Sequence, residues 1–285
     1  MELCFLGATG TVTGSKYLLS SGKTQVLLDC GLFQGLKQLR LRNWDALPVD
    51  ITALSAVVLT HAHIDHSGYL PLLIKRGYTG KVYCSAATLE LCSILLPDSG
   101  RLQEEQAEYA NRHKFSKHQP ALPLYTQEDA ERCLPHLHAV DFKQEHVIGD
   151  FTMRLFSAGH IPGAASVELR DAKTSIIFSG DLGRPDDPVM NPPSVPPGAN
   201  YLVVESTYGE RKHPVLDALQ ALAAVINRTV QREGVVVIPA FAVGRTQMLL
   251  HYIRVLKDAG TIPDIPIYLN SPMAVDATDI FVRHH

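Results

Sequence analysis

Up to about residue 205, apolar positions come in short alternating or continuous runs bounded by Gly, Ser, Asp and Pro, a pattern of strands rather than of long helices. It predicts strands near 2–6, 15–20, 25–29, 81–84, 139–142, 151–157, 166–170, 175–179 and 201–204, with a further one ending in Val57-Val58-Leu59-Thr60. Helical spacing predicts helices around 67–76, 86–95, 98–113 and 126–137. The Pro-rich stretch 185–197 reads as a surface loop rather than a linker. After Glu205 the pattern changes to helix 214–232, strand 235–239, helix 245–259, strand 266–269 and helix 273–282, the alternation of a parallel α/β unit. The fold class is therefore α/β, with a strand-rich part followed by a distinct α/β part.

A chain of 285 residues with 46% hydrophobic content can bury an extensive core. Its start, Met1-Glu2-Leu3-Cys4, lacks the basic and apolar regions of a secretory signal, and no apolar run approaches the ~20 residues that cross a bilayer. A cytoplasmic protein without a membrane partner is expected. The cysteines Cys4, Cys30, Cys84, Cys92 and Cys133 are odd in number and lack C-x-x-C spacing, so they read as small buried hydrophobes rather than disulfide or zinc ligands. The net charge of −3 does not by itself suggest a nucleic-acid binder, although bound divalent cations would reverse the sign locally.

The densest chemistry lies in His61-Ala62-His63-Ile64-Asp65-His66, straight after an apolar run. Three imidazoles and a carboxylate at a strand mouth suit Zn²⁺ and similar ions. On extended backbone His61, His63 and Asp65 share one side and His66 begins the other, so the loop can serve two ions. A plain capping role for Asp65 or Ser67 at the following helix is the ordinary alternative, and it is compatible with ligation. One loop cannot close two coordination spheres, so further ligands must come from other strand ends. His160, on a Gly-flanked turn after the 151–156 alternation, and Asp181, in Ser179-Gly180-Asp181-Leu182-Gly183, are the candidates. Asp29 closes another apolar run, Val26-Leu27-Leu28.

Taken in order, Asp29, His61 to His66, His160 and Asp181 resemble the metallo-β-lactamase fold superfamily, with its Asp after an early strand, H-x-H-x-D-H, a later His and a later Asp. The resemblance implies an αββα sandwich. It also implies two Zn²⁺ ions, one held by His61, His63 and His160, the other by Asp65 and His66, with Asp181 bridging and Asp29 fixing a ligand tautomer from behind.

Tyr201-Leu202-Val203-Val204-Glu205-Ser206-Thr207-Tyr208-Gly209 is similar to the motif that opens the β-CASP insertion of RNA-processing nucleases in this superfamily. Ile238 to Gln247 and Leu269 to Ala274 are similar to segments in bacterial and archaeal relatives of the cleavage and polyadenylation endonuclease. The implied division is a metallo-β-lactamase domain over 1–207 and a partial β-CASP domain over 208–285. In that family the chain returns to the first domain with two more histidines, so this sequence, ending at Arg283-His284-His285, reads as an N-terminal portion.

The implied activity is a zinc-dependent ribonuclease acting through a metal-bridged hydroxide oriented by Asp65, leaving 5′-phosphate and 3′-hydroxyl ends. Glu205 resembles the acid that positions the proton-donating histidine. Single-stranded RNA is the implied partner, with a homodimer also open. Arg245 and Ser271, at the starts of two predicted helices, are candidate phosphate contacts or ordinary helix starts. Lys37, Arg40 and Arg42 form a small basic run that reads as a solvated loop. His113, His118, His136, His138, His146, His213 and His251 have no supporting constellation.

Three rivals stand beside this reading. Gly7 to Gly14 after a strand, with Asp29 about 20 residues on, looks like a dinucleotide-binding loop. That loop must open a helix, whereas Ser15 to Leu28 reads as two short strands around Ser-Gly. Within the fold, a thioesterase or lactonase shares the metal motif, which does not choose a substrate. A catalytically inactive RNA-binding partner subunit is the third, against which the intact ligand set argues.

Overall fold

The computed structural model describes residues 1–212 and 217–284. The first three residues of the helix expected over 214–232, along with His213 and His285, lie outside the described residues.

Two sheets face one another. The first has strands β1 (Glu2–Phe5), β2 (Tyr17–Ser21), β3 (Thr24–Leu28), β4 (Ala56–Val58), β5 (Lys81–Cys84) and β6 (Leu137–Ala139), paired in that order. Its first three strands are antiparallel and the rest parallel. The second sheet runs β11 (Tyr201–Val203), β10 (Ser175–Phe178), β9 (Ala165–Arg170), β8 (Phe151–Ser157) and β7 (His146–Ile148), antiparallel except where β11 lies parallel to β10.

The continuous apolar runs follow from burial on both faces. Val26, Leu28, Ala56 and Val58 point into the inter-sheet core against Phe151, Met153, Leu155, Val167 and Leu169. Their neighbours Leu27, Val57 and Leu59 point the other way, into a core shared with helices. That layer comprises α3 (Leu70–Lys75), α4 (Ala86–His113), α5 (Gln127–Cys133) and α8 (Pro272–Arg283). The layering agrees with the αββα sandwich expected from the sequence.

Two other short helices, α1 (Lys37–Leu41) and α2 (Ile64–Ser67), lie in the loops after β3 and β4. Helix α6 (Ala218–Val230) and helix α7 (Arg245–Asp258) share a smaller core through Ala223, Ile226, Ile253, Leu256 and Ile262. No helix among the described residues is long and apolar enough to cross a membrane.

Several elements differ from expectation. The helices expected over 86–95 and 98–113 are one, α4, with Pro97 inside it. A proline within a helix costs about 3 kcal/mol, but Leu91, Cys92, Leu95, Leu96 and Gly100 are buried on both sides of it. The expected helix 67–76 is shortened to α3, Leu70–Lys75, and α2, Ile64–Ser67, precedes it as a separate turn. That over 126–137 ends at Cys133 in a 3₁₀ turn, Leu134–His136, containing Pro135. Strands expected over 235–239 and 266–269 form no ladder among the described residues. Val235, Val237 and Tyr268 are exposed there, while Val236 and Ile265 pack on the α6–α7 core. Alternation is present in those segments, but a strand needs a partner for its backbone groups. Helix α1 and strand β7 were not anticipated.

The glycine-rich segment 7–14 joins β1 to β2 without opening a helix, and β2 and β3 form the hairpin expected in place of a dinucleotide site. The 185–197 stretch is a loop that turns back on the sandwich, where Val189 and Met190 pack on the core and Ser194 N donates to Ser157 O.

Candidate metal centre

The site lies where strand ends from both sheets meet. β4 delivers Leu59, Thr60 and His61, and the loop turns into α2, where the Ser67 hydroxyl donates to Ala62 O and His63 O. His160 follows β8 and Asp181 follows β10, so each ligand candidate stands just beyond a ladder that fixes its backbone. Two glycines let these turns touch. A Cβ on Gly31 would lie 1.6 Å from Asp65 O, and one on Gly183 would lie 1.8 Å from Gly159 O.

His61, His63, His160 and Asp181 each offer one ligand atom, all within 4.8 Å of one another. His61 Nε2 and His160 Nε2 lie 3.1 and 3.2 Å from His63 Nδ1. Asp181 Oδ2 is 3.7 Å from His61 Nε2 and 3.6 Å from His160 Nε2. Ligand atoms in a tetrahedral zinc site with bonds of about 2.0–2.1 Å stand about 3.3 Å apart, so the spacing fits such an ion. The other oxygen, Asp181 Oδ1, faces His66 Nε2 at 3.3 Å, and Asp65 Oδ2 is 3.8 Å from the same nitrogen.

Behind the cluster Asp29 fixes the tautomers. It holds a left-handed backbone conformation, φ 55°, which turns its buried carboxylate toward the β4 end. Oδ1 accepts from Thr60 N at 2.8 Å, while Oδ2 accepts from Thr60 Oγ1 at 3.0 Å and from His66 Nδ1 at 2.7 Å. Because the Thr60 hydroxyl donates its one proton to Asp29, it accepts from His61 Nδ1 at 3.0 Å. Both His61 and His66 therefore present unprotonated Nε2 to the cluster when neutral. Thr60 is a site residue that sequence reasoning missed; the hydroxyl immediately before the first histidine was its only signal.

The electrostatics favour a cation. Burial, reinforced by neighbouring imidazoles, holds the His61 pKa well below the usual imidazole range and His63 at about 3. Burial also lowers His160, although Asp181 opposes it. For His66 burial is outweighed by Asp29 and Asp181, which lift its pKa well above the usual range. Asp181 is held at about 2, its burial overcome by the hydrogen bond and the charge of His66. Burial raises Asp65. Three neutral imidazoles and an ionised carboxylate converging on one point are a donor set for a divalent metal.

A family model for the metallo-beta-lactamase superfamily matches residues 9–232. The chain belongs to that superfamily. As a metallo-beta-lactamase-fold chain it is 36% identical over 285 residues, 99% of its length, to ribonuclease TTHA0252 of Thermus thermophilus, of which it covers 61%. It is 32% identical over 291 residues, 98% of its length, to transcription termination factor FttA of Methanosarcina mazei, covering 43% of that protein. The chain thus spans less than two thirds of these curated relatives. These relatives agree with the β-CASP nuclease branch that Tyr201–Gly209 resembles. The fold is shared with a crystal structure of a protein of unknown function from Enterococcus faecalis, at 14% identity and a TM-score of 0.52, over 88% of this chain and 62% of that one.

The remaining predicted residues are placed around this metallo-beta-lactamase centre or away from it. Glu205 lines a pocket of about 300 Å³ together with Asp29, His66 and Asp181. Its carboxylate accepts from Thr207 N at 3.0 Å, and its charge reaches His160. Arg245 is exposed at the first turn of α7, just after Phe241, Ala242 and Val243, which line the same groove as His63 and His160. Ser271 is the N-cap of α8, its hydroxyl accepting from Ala274 N at 3.2 Å.

Proposed function

We propose that this chain is the metal-binding part of a zinc-dependent ribonuclease that hydrolyses RNA phosphodiester bonds. The observation that carries the reading is the division of Asp181 between two donor sets. One carboxylate oxygen faces the His61, His63 and His160 nitrogens, and the other faces His66, with Asp65 beside it. Two Zn²⁺ ions bound there would supply a bridged hydroxide at neutral pH and neutralise charge on a scissile phosphate.

The protein's own contribution is orientation. Asp29 and Thr60 set the imidazole tautomers, Asp65 stands beside His66 to direct the attacking oxygen, and Glu205 at the pocket rim positions the proton path to the leaving group. RNA as substrate is supported by the ribonuclease named among the relatives and by the Glu205 segment. We assign residues 1–207 to the metallo-β-lactamase domain and 208–285 to part of a β-CASP domain, with a homodimer as the assembly to test.

Metal analysis of the purified protein beside Asp65→Ala and His160→Ala, followed by cleavage assays of the full-length form on single-stranded RNA, a thioester and a lactone, tests this. Zinc in the wild type, its loss in the variants and RNA cleavage are expected. Turnover of only the thioester or lactone would overturn the ribonuclease reading.

A further inference from the structure

A groove of about 1360 Å³ opens from the metal centre, lined at its inner end by His63, Asp65, His160 and Asp181. Its outer walls carry Trp44, Tyr109, Phe115 and Phe241, all more than half exposed and drawn from three distant stretches of the chain. Single exposed apolar side chains are ordinary on a protein surface, but rings converging on one groove mark a binding face. Their supports are firm. Asn43 is buried and clasps Phe33 through both backbone groups, at 2.9 and 2.8 Å, and Arg76 donates to Trp44 O at 3.0 Å. The Trp44 ring is therefore presented on a pinned loop. Tyr109 lies at the end of α4, its ring 5.9 Å from that of Phe115.

Charge around the groove is sorted by position. Every carboxylate lining it is committed: Asp65 and Asp181 to the histidine cluster, Asp98 and Glu105 to Arg101 at 2.6 and 2.5 Å. Among the described residues, Lys37, Arg40, Arg42, Arg112, Lys114 and Lys117 are exposed and form no ion pair with a carboxylate, Arg42 lying over the Phe33 ring, and they outnumber the exposed carboxylates beside the rings that likewise form none, Asp45 and Glu108. Arg40 lines the groove, and Arg112, Lys114 and Lys117 flank Phe115 in sequence. Rings interleaved with unpaired cations suit a flexible polyanion whose bases are unpaired and free to stack.

We infer that single-stranded RNA runs from the metal centre along this groove, its bases stacked on Trp44, Tyr109 and Phe115 and its phosphates against Arg40, Arg112 and Lys114. The inference rests on the ribonuclease reading and adds to it the face that grips the strand.

Trp44 is the one tryptophan in the chain, so its emission reports on this face alone. Zinc-loaded protein is titrated with a 20-nucleotide single-stranded RNA carrying phosphorothioate linkages, which slow hydrolysis, and binding is followed by anisotropy and by tryptophan emission. The single strand should quench Trp44, whereas a duplex of the same sequence or inorganic polyphosphate should not. Trp44→Ala and Phe115→Ala should each weaken the single-strand Kd roughly tenfold, with Trp44→Phe retaining most of the affinity. Binding by anisotropy with unchanged emission, or Ala variants that bind like the wild type, overturns the groove assignment and leaves the ribonuclease reading standing. Absence of any RNA binding by the wild type overturns both.

Discussion

Asp29 and His66, 37 residues apart, meet through a hydrogen bond of 2.7 Å from His66 Nδ1 to Asp29 Oδ2, and both side chains are buried. The same carboxylate receives Thr60, which in turn receives His61, so one anion sets the orientation of an imidazole in each donor set. Outer partners of this kind typically contribute 10–100-fold to metal affinity. Asp29→Asn has one fewer acceptor oxygen and no charge. It should lower zinc affinity by about that factor, with the larger loss at the His66 set, where the bond is direct. Competition with a chromophoric chelator measures it. Stepwise affinities equal to those of the wild type would remove Asp29 from the site.

Gly183 allows the loop carrying Asp181 to lie against the loop carrying His160, with Gly183 N donating to Ala158 O at 2.8 Å. A Cβ there would meet Gly159 O at 1.8 Å, and backbone cannot yield as a flexible side chain can. Gly183→Ala should therefore destabilise the fold by about 1–3 kcal/mol and reduce bound zinc by separating the two ligands. Urea unfolding and metal content, measured on the same preparation, check both effects. Loss of stability with full zinc occupancy would show that the loops move together.

The parts of this structure that were legible in the sequence are those whose cause is local. His61, His63, Asp65 and His66 are contiguous, and β3, β8 and β9 carry their burial pattern in their own residues. His160 and Asp181 became legible only with the first motif, because a lone histidine or a Gly-Asp step after a strand has many ordinary uses. Thr60 was missed because its role depends on Asp29 lying across the strand ends, a relationship no spacing encodes. β7 was missed because only Ile148 of its three residues is buried. Continuity through Pro97 and the lack of a ladder at 235–239 and 266–269 among the described residues depend on tertiary partners, which periodicity cannot supply.

Lys16 is almost wholly buried, its ammonium 4.6 Å from the Phe33 ring centroid and 4.9 Å from that of Tyr69. Burial lowers its pKa from the ordinary 10.5 to about 8. Between those values the unfolded chain binds more protons than the folded one, so the Lys16 contribution to stability rises with pH across that window. Below pH 8 the penalty for burying the charge is present in full, on the order of 3 kcal/mol before the ring contacts offset part of it. Lys16→Met should then be more stable than the wild type at pH 7, with an advantage that shrinks toward pH 10.5. Burial raises the thiols of Cys84, Cys92 and Cys133, which ionise on unfolding over the same alkaline range in both proteins and cancel in the difference. Cys30, raised by burial to about 12 against the opposing charge of Lys16, stays un-ionised in both folded proteins at pH 10. Urea midpoints at pH 7 and pH 10 give the two differences. A gap that does not change with pH would show that Lys16 keeps its ordinary pKa.

Metal removal should be felt by the whole fold, because the donor set joins the turns after β4, β8 and β10, which belong to both sheets. Without a cation, the His61, His63, His160 and Asp181 ligand atoms converge within 4.8 Å with no ion between them to hold the turns together. A ligand that binds only the folded state stabilises it by about 4 kcal/mol at a thousand times its Kd. For a domain of this size each kcal/mol shifts the melting temperature by roughly 2–4 °C. Chelation should therefore lower the Tm by about 10 °C, and added Zn²⁺ should restore it. His160→Ala lacks one of the nitrogens that close the set, so its Tm should respond much less to chelator. Differential scanning calorimetry of both proteins, with and without chelator, makes the comparison. An equal response in the two would place the stabilising ion somewhere other than the His61, His63, His160 and Asp181 cluster.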